Sequence, residues 1–285
     1  MRYLYLDHNV YIEALKNEEL KKALLKLKNK KIQCVYSPAH IEEIYKVSAN
    51  KNSPYKEKMG ELIKLISEIT SNIEVFPTIT SLVLHKEDPN ACYDRVKNFD
   101  TRSIVENDSC ERYMIDKDNY EKLSNKNEIL KIEPEEIWKY PAIDQCITDF
   151  NKNRDRIIAK HNTETENSIL CLLGIDKSLP SNFCLEQGNF LKLKKSHTQL
   201  EYTIEILFRI LNFSGYHSEK DKHTSISGTH DVSHAIYATK ANILISADYK
   251  FTQKCKAVYK FLGVQTFIIY CKPDDIINVI NKNLE

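Results

Sequence analysis

Short apolar runs alternate with longer amphipathic stretches in the first part of the chain. Residues 3–6 form a run of apolar and aromatic side chains, too short for a helix, that stops at Asp7. A second run covers residues 32–36 and is followed by Ser37 and a proline, which suit the cap and the first position of a helix. The pattern predicts strand, helix, strand, helix, which is typical of a parallel α/β sheet covered by helices.

The same kind of pattern returns near the end of the chain. A helix is predicted over residues 231–241, a buried strand over 243–246 and a helix over 251–262, which Gly263 would close at its C-terminus. A last strand is predicted over residues 266–270. We therefore expect a sheet that is assembled from both ends of the chain.

The middle of the chain has a different pattern. From about residue 79 to 216, charged stretches alternate with helical spacing, and strand-like alternation is weak. We predict one α/β domain built from residues 1–75 and 225–285, with a large, mostly helical insertion over 76–224. The polar segment 217–229, rich in Ser, Lys and His, is predicted to be a mobile loop.

Composition excludes several classes of protein. Lys and Arg (41) nearly balance Asp and Glu (40), so any contact with nucleic acid must come from a local patch. Only 6 glycines occur, and no glycine-rich phosphate loop is present, which gives phosphate-cradle enzymes no support. The 8 cysteines are dispersed, without a CxxC pair, as expected for free thiols in a reducing cytosol. Because the sequence has neither a secretory leader pattern nor a long apolar run, we expect a soluble cytoplasmic protein without a membrane partner.

Acidic residues mark the ends of the predicted strands. Asp7 follows the first strand, Glu42 and Glu43 lie on the helix after the second, and Asp231 opens the helix of the C-terminal part. Asp248 follows the strand after that helix. Open α/β sheets bind their ligands outside the carboxyl ends of the strands, and carboxylates that converge there need a cation or raised pKa values. The pattern therefore predicts a divalent-metal site.

This set of acids resembles the pattern of the PIN-domain nucleases. Those proteins carry an Asp after strand one, often as DxN, and a Glu on the helix after strand two. A third acid opens a helix, and a fourth closes a [TS]-x-D turn. The matching residues here are Asp7 with Asn9, Glu43, Asp231, and Asp248 with Ser246. The resemblance covers roughly residues 1–50 and 225–272 and implies a PIN-like fold.

The resemblance also implies an activity, namely metal-dependent endonucleolytic cleavage of RNA, or of DNA, with Mg²⁺ or Mn²⁺. Asp7, Asp231 and Asp248 would be the metal ligands, and Glu43 would position or activate the attacking water. Asn9 and Ser246 would support them through hydrogen bonds.

Several residues around this pattern leave alternatives open. Glu42 remains an alternative to Glu43. Lys250 stands where many relatives carry a further acid, which leaves the number of metal ions open. Lys250 and Lys254 are candidates for contacts with substrate phosphates. A protein inhibitor or regulatory partner could dock on the insertion. His234, one turn after Asp231, is expected to be a structural histidine.

Two other functions remain as alternatives. The first is a PIN-like scaffold with a weakened metal site that binds RNA or protein without cleavage. The second rests on Arg156 and His161, whose R-x4-H spacing resembles that of the HEPN-type ribonucleases, which act without a metal.

Overall fold

The computed structural model describes residues 1–49, 58–78, 80–98, 126–160, 183–218 and 222–283. The chain forms two compact units. The first contains Met1–Arg102, Ser233–Thr252 and Gln265–Glu285. The second contains Ser103–Val232 and Gln253–Val264.

A parallel four-stranded sheet forms the centre of the first unit. Its strands are β1 (Arg2–Leu6), β2 (Ile32–Val35), β5 (Ile243–Ser246) and β6 (Phe267–Tyr270), in the order β2-β1-β5-β6. Leu4 of β1 lies opposite Cys34 of β2 and Ile243 of β5, so the first strand is paired on both sides. All four residues of β2 and of β5 are buried, as expected for parallel strands covered on both faces.

A two-stranded antiparallel hairpin follows in the same unit. It consists of β3 (Ile73–Pro77) and β4 (Leu82–Lys86). A parallel bridge between Tyr36 and Glu74 connects β3 to the end of β2. The hairpin thereby extends the sheet at its β2 edge.

Six helices or parts of helices surround these strands in the first unit. Their bounds are α1 His8–Lys16, α2 Glu18–Lys26, α3 Pro38–Ala49, α4 Met59–Thr70, α5 Pro89–Asn98 and α12 Ile276–Asn283. Short 3₁₀ turns occur at Leu27–Lys30 and Pro273–Asp275. The apolar faces of α1, α2, α4 and α12 meet the sheet residues in one continuous buried core, which includes Leu6, Ile66 and Ile245. Burial of such faces is the main stabilising contribution to a domain of this kind.

The second unit is helical where it is described. Its helices are α6 Lys126–Ile129, α7 Pro141–Lys160, α8 Phe190–Leu193 and α9 His197–Phe213, with a 3₁₀ turn at Ile137–Lys139. The boundary between the units falls inside α10 (Lys222–Ala238) and α11 (Tyr249–Leu262). The buried indole of Trp138 donates to the carbonyl of Ala257 at 2.7 Å and packs against Phe261, which fixes α11 within this unit.

Most of the predicted regular elements are confirmed, including an α/β class with a parallel sheet from both chain ends. Gly263 follows α11 with φ of +78°, the left-handed conformation expected of a helix C-cap. Strands β3 and β4 were not predicted, and the first unit contains residues up to Arg102.

The prediction of a loop over residues 217–229 is wrong, because α10 begins at Lys222. The polar N-terminal half of this helix has no apolar stripe to reveal it. Its buried C-terminal half, with Ala235, Ile236 and Ala238, supports a longer helix, since helix formation propagates along the chain. Asp231 therefore lies inside the helix and does not open it. None of the helices in the described ranges is long and apolar enough to cross a membrane.

Candidate functional site

The carboxyl ends of β1 and β5 bring Asp7 and Ser246 together in the first unit. The two strands are parallel neighbours, and the Asp7 backbone N–H donates to the Ile245 carbonyl at 2.9 Å. Both residues follow or end a short apolar strand, so their polar side chains emerge at the same edge of the sheet. This is the edge at which open α/β sheets bind ligands.

Three donors fix the Asp7 carboxylate, which is 7% exposed. Its Oδ1 accepts the backbone N–H of His8 at 2.8 Å, so that Asp7 caps α1. Its Oδ2 accepts the Asn9 side-chain amide at 2.7 Å and the Ser246 hydroxyl. Each carboxylate oxygen has about two acceptor positions, so Oδ1 keeps one that these bonds do not use.

The pKa of Asp7 is raised above its ordinary value. Burial is the largest cause, because it disfavours the charged carboxylate, and the negative charge of Glu43 adds to the rise. His234, the hydroxyl of Ser246 and His8 act in the opposite direction. A bound cation would favour the ionised form of Asp7.

Glu43 lies beside two histidines. It is on α3, and its Oε2 is 3.2 Å from Nδ1 of His8 and 3.6 Å from Nε2 of His234. The side chain of His234 is almost fully buried, whereas those of His8 and Glu43 are partly accessible. The helix after β2 therefore directs Glu43 toward two histidines, both of which act on the charge of Asp7. For Glu42, the structure gives a half-buried side chain on the same helix.

A buried chain of hydrogen bonds runs behind His234. Its Nδ1 lies 2.8 Å from the Tyr5 hydroxyl, which lies 2.6 Å from the hydroxyl of Ser37. Ser37 Oγ is 3.2 Å from Nδ1 of His40, and Nε2 of His40 is 2.7 Å from the carbonyl of Leu6. These side chains come from β1, α3, α10 and the residue before α3, so the network joins the strand to both helices.

The hydrogen-bond partners determine the protonation of His40. The backbone N–H of Ser37 donates to His40 Nδ1 at 3.0 Å, so this nitrogen carries a lone pair. The other nitrogen must then carry the proton that it donates to Leu6. Burial also lowers the pKa of His40 well below its ordinary value, which agrees with a neutral ring. His40 is a fixed structural group at the base of the network.

His234 is less constrained than His40. The hydroxyls of Tyr5 and Ser37 can each rotate, so the Tyr5 oxygen can accept from His234 Nδ1 or donate to it. In the first arrangement, a neutral His234 presents the lone pair of Nε2 toward Glu43; in the second, it presents an N–H. The network therefore orients the ring in either state, as groups behind metal-binding or catalytic histidines commonly do.

Asp248 closes the turn after β5. Its backbone N–H donates to Ser246 Oγ at 2.9 Å, and its Oδ1 accepts the N–H of Phe251 at 2.9 Å. The exposed side chain thus caps α11. Asn9 reaches the same turn through the N–H of Ala247, which donates to Asn9 Oδ1 at 3.2 Å. Ser246 and Asn9 both connect Asp7 to this turn, the supporting role expected of them.

Three further predicted residues lie on α10 and α11. Asp231 is half-buried in α10 and belongs to the second unit. Lys250 is half-buried in the first turn of α11. Lys254 is only 1% exposed, with its ammonium 3.4 Å from Asn212 Oδ1 and 5.8 Å from the centre of the Phe208 ring. This burial does not fit the expected contact of Lys254 with substrate phosphates.

The metal-independent alternative rests on Arg156 and His161. Arg156 lies on α7, of which only the backbone is described at that position, and His161 lies outside the described residues.

The donor set at the strand edge suits a hard divalent cation. Carboxylate oxygens are the preferred ligands of Mg²⁺ and Mn²⁺, and Mn²⁺ also accepts an imidazole nitrogen. Asp7 is the residue of this edge that could hold such an ion. The negative charge of Glu43 acts on it, His234 lies 3.6 Å from Glu43, and Asp248 closes the turn that begins at Ser246. No family model, curated protein or solved structure matches this chain.

Proposed function

We propose that the protein is a metal-dependent endonuclease that hydrolyses phosphodiester bonds in RNA. The observation that carries the proposal is a buried Asp7 carboxylate, held by three hydrogen bonds at the carboxyl edge of a parallel sheet. Asp7 and Glu43 are far apart in the sequence, and the negative charge of Glu43 makes ionisation of Asp7 less favourable. A protein would have little reason to keep such a pair for stability alone.

Different residues of the chain would bind the metal ion and accept the proton during hydrolysis. Asp7 would bind the cation with a carboxylate whose orientation His8, Asn9 and Ser246 already fix. The bound Mg²⁺ or Mn²⁺ would lower the pKa of a water molecule and neutralise charge on the phosphate. Glu43, partly accessible and flanked by two histidines, would accept the proton of that water.

Three of the predicted roles rest on less. Asp248 would contribute through its exposed carboxylate, of which Oδ1 also serves as a helix cap. Asp231 keeps its predicted role as a ligand on the resemblance to PIN-domain nucleases alone. The same resemblance, and no contact of this chain, favours RNA over DNA as the substrate and Lys250 as a phosphate contact.

Cleavage of end-labelled single-stranded RNA tests the proposal. The assay compares Mg²⁺, Mn²⁺ and EDTA for the wild type, Asp7→Asn and Asp231→Asn, with Asp274→Asn as a matched change at an exposed acid of the first unit. We expect metal-dependent cleavage that is lost in Asp7→Asn and kept in Asp274→Asn. Cleavage that persists in EDTA and in Asp7→Asn would refute the proposal and point to Arg156 and His161. RNA binding without cleavage, unchanged by Asp7→Asn, would favour the scaffold.

A further inference from the structure

A second group of metal-binding side chains lies on the β3–β4 hairpin. Glu74 of β3 faces His85 of β4 across the antiparallel pair, and Glu87 follows the end of β4. Glu74 is 0% exposed, which is rare for a carboxylate. The side chains of His85 and Glu87 are 40% and 23% exposed, so the group opens to solvent on one side.

Arg95 of α5 binds one oxygen of each acid. Its Nη2 lies 2.7 Å from Glu74 Oε1 and 2.5 Å from Glu87 Oε2. The other two oxygens, Glu74 Oε2 and Glu87 Oε1, lie 3.3 Å and 3.9 Å from Nε2 of His85. The guanidinium therefore occupies one side of the two carboxylates, and the imidazole nitrogen lies on the other side.

One guanidinium leaves this cluster one positive charge short. With His85 neutral, two carboxylates and Arg95 sum to one negative charge. Glu74 Oε2 is buried and accepts no hydrogen bond from any described residue. A buried carboxylate oxygen of this kind is costly unless another group binds it.

The spacing of the three atoms fits one tetrahedral ion. Glu74 Oε2, His85 Nε2 and Glu87 Oε1 all lie within 4.8 Å of one another. A tetrahedral ion with bonds of about 2.0–2.2 Å separates its ligands by roughly 3.3–3.6 Å. The distances from His85 Nε2 to Glu74 Oε2 and to Glu87 Oε1, 3.3 Å and 3.9 Å, are close to this separation. A nitrogen with two carboxylates suits Zn²⁺ or a similar transition metal better than Mg²⁺.

We propose that Glu74, His85 and Glu87 bind a zinc-type divalent cation, with a fourth position open to water. Arg95 orients the two carboxylates from behind, as outer-shell donors do in metal sites. The ring of Phe76 packs against both the His85 ring, at 5.0 Å between centroids, and the Arg95 guanidinium, at 4.9 Å. The ion would tie the end of β4 to the buried β3 residue. This site is independent of the proposed nuclease activity.

Metal titration of the full chain tests the site. Chelator-treated protein is titrated with Zn²⁺ by calorimetry and with Co²⁺ by visible absorption, which reports tetrahedral coordination. The variants are His85→Ala, Glu74→Gln and, as a control for the strand-edge site, Asp7→Asn. His85 is accessible enough for the alanine variant to fold, which circular dichroism checks.

We expect a Zn²⁺ site, with tetrahedral Co²⁺ bands, whose affinity is the same in the wild type and in Asp7→Asn. His85→Ala should weaken binding by more than about tenfold, since even loss of an outer-shell partner costs that much. Equal affinity in His85→Ala, or the absence of a stoichiometric Zn²⁺ in the wild type, would overturn the site. Loss of binding only in Asp7→Asn would assign the ion to the strand edge and would also overturn it.

Discussion

The substitution Ser246→Ala tests how much the hydrogen bonds of this side chain contribute to the stability of the fold. The Ser246 side chain is 0% exposed, donates to Asp7 Oδ2 and accepts the backbone N–H of Asp248. Alanine removes both bonds and almost no volume. A hydrogen bond to a charged group contributes about 1.5–3 kcal/mol to stability. The second bond adds little, because Asp248 is exposed and water can replace the lost acceptor.

We therefore expect Ser246→Ala to lower the free energy of unfolding by about 2–3 kcal/mol. Ser67→Ala is the matched control in the same unit, because the half-buried hydroxyl of Ser67 makes one neutral bond, to Asn72 Oδ1 at 2.7 Å. That change should cost about 0.5–1.5 kcal/mol. Urea denaturation of the metal-free proteins, followed by circular dichroism, measures both values.

The same substitution has a consequence for metal binding. The Ser246 hydroxyl lowers the pKa of Asp7, so its loss raises that pKa further and favours the protonated acid. As the pH is lowered, the affinity for Mn²⁺ should therefore begin to fall at a higher pH in Ser246→Ala than in the wild type. The reasoning fails if Ser246→Ala is no less stable than Ser67→Ala, or if the pH dependence of Mn²⁺ binding is unchanged.

Three further predictions concern the acid pair, the buried histidine and the helix cap. Glu43→Gln should lower the rate of metal-dependent RNA cleavage by about 10²–10⁴-fold, as expected for loss of a general base, whereas Glu42→Gln should keep it; the reverse order would assign the role to Glu42. Because the folded state holds His40 neutral, its contribution to stability is present above pH of about 6.5 and is lost as the pH falls, with a slope of at most about 1.4 kcal/mol per pH unit. Urea midpoints between about pH 7 and 5 should fall less in His40→Gln than in the wild type, and parallel curves would contradict this assignment. Gly263→Ala should lower the free energy of unfolding by about 1 kcal/mol because φ is +78° there, and thermal denaturation beside Gly60→Ala, at a helical position with open space, measures the difference.

The sheet and the acids at its edge follow closely from the sequence. Continuous apolar runs such as 243–246 have few alternatives to a buried parallel strand, and polar residues directly after them must emerge at the strand ends. For this reason the sequence predicts that Asp7 and Asp248 emerge at the same edge, and the resemblance to PIN-domain nucleases adds Asn9 and Ser246. Glu43 was distinguished from Glu42 by its offset along the helix, and the structure places Glu43 beside His8 and His234.

The positions of the histidines near these acids depend on long-range contacts, which a local sequence pattern does not predict. His234 was expected to be structural, and its approach to Glu43 depends on α10 packing between residues far apart in the chain. His40 could be identified from the sequence, because it lies three residues before Glu43 and therefore on the same helix face. The β3–β4 hairpin was missed because Glu74 interrupts its apolar pattern. The buried carboxylate of Glu74 is contacted by Arg95 and Cys92, and His85 lies 3.3 Å from it.

Binding of Mn²⁺ to chelator-treated protein tests the central claim most directly, because the proposed chemistry requires an ion at Asp7, with the charge of Glu43 beside it. The loss of the free-ion signal in electron paramagnetic resonance measures the affinity for the wild type, Asp7→Asn, Glu43→Gln and His85→Ala. We predict that both changes at the strand edge weaken binding by more than about tenfold and that His85→Ala leaves a strand-edge ion in place. Mn²⁺ affinity that is the same in the wild type, Asp7→Asn and Glu43→Gln would contradict the account.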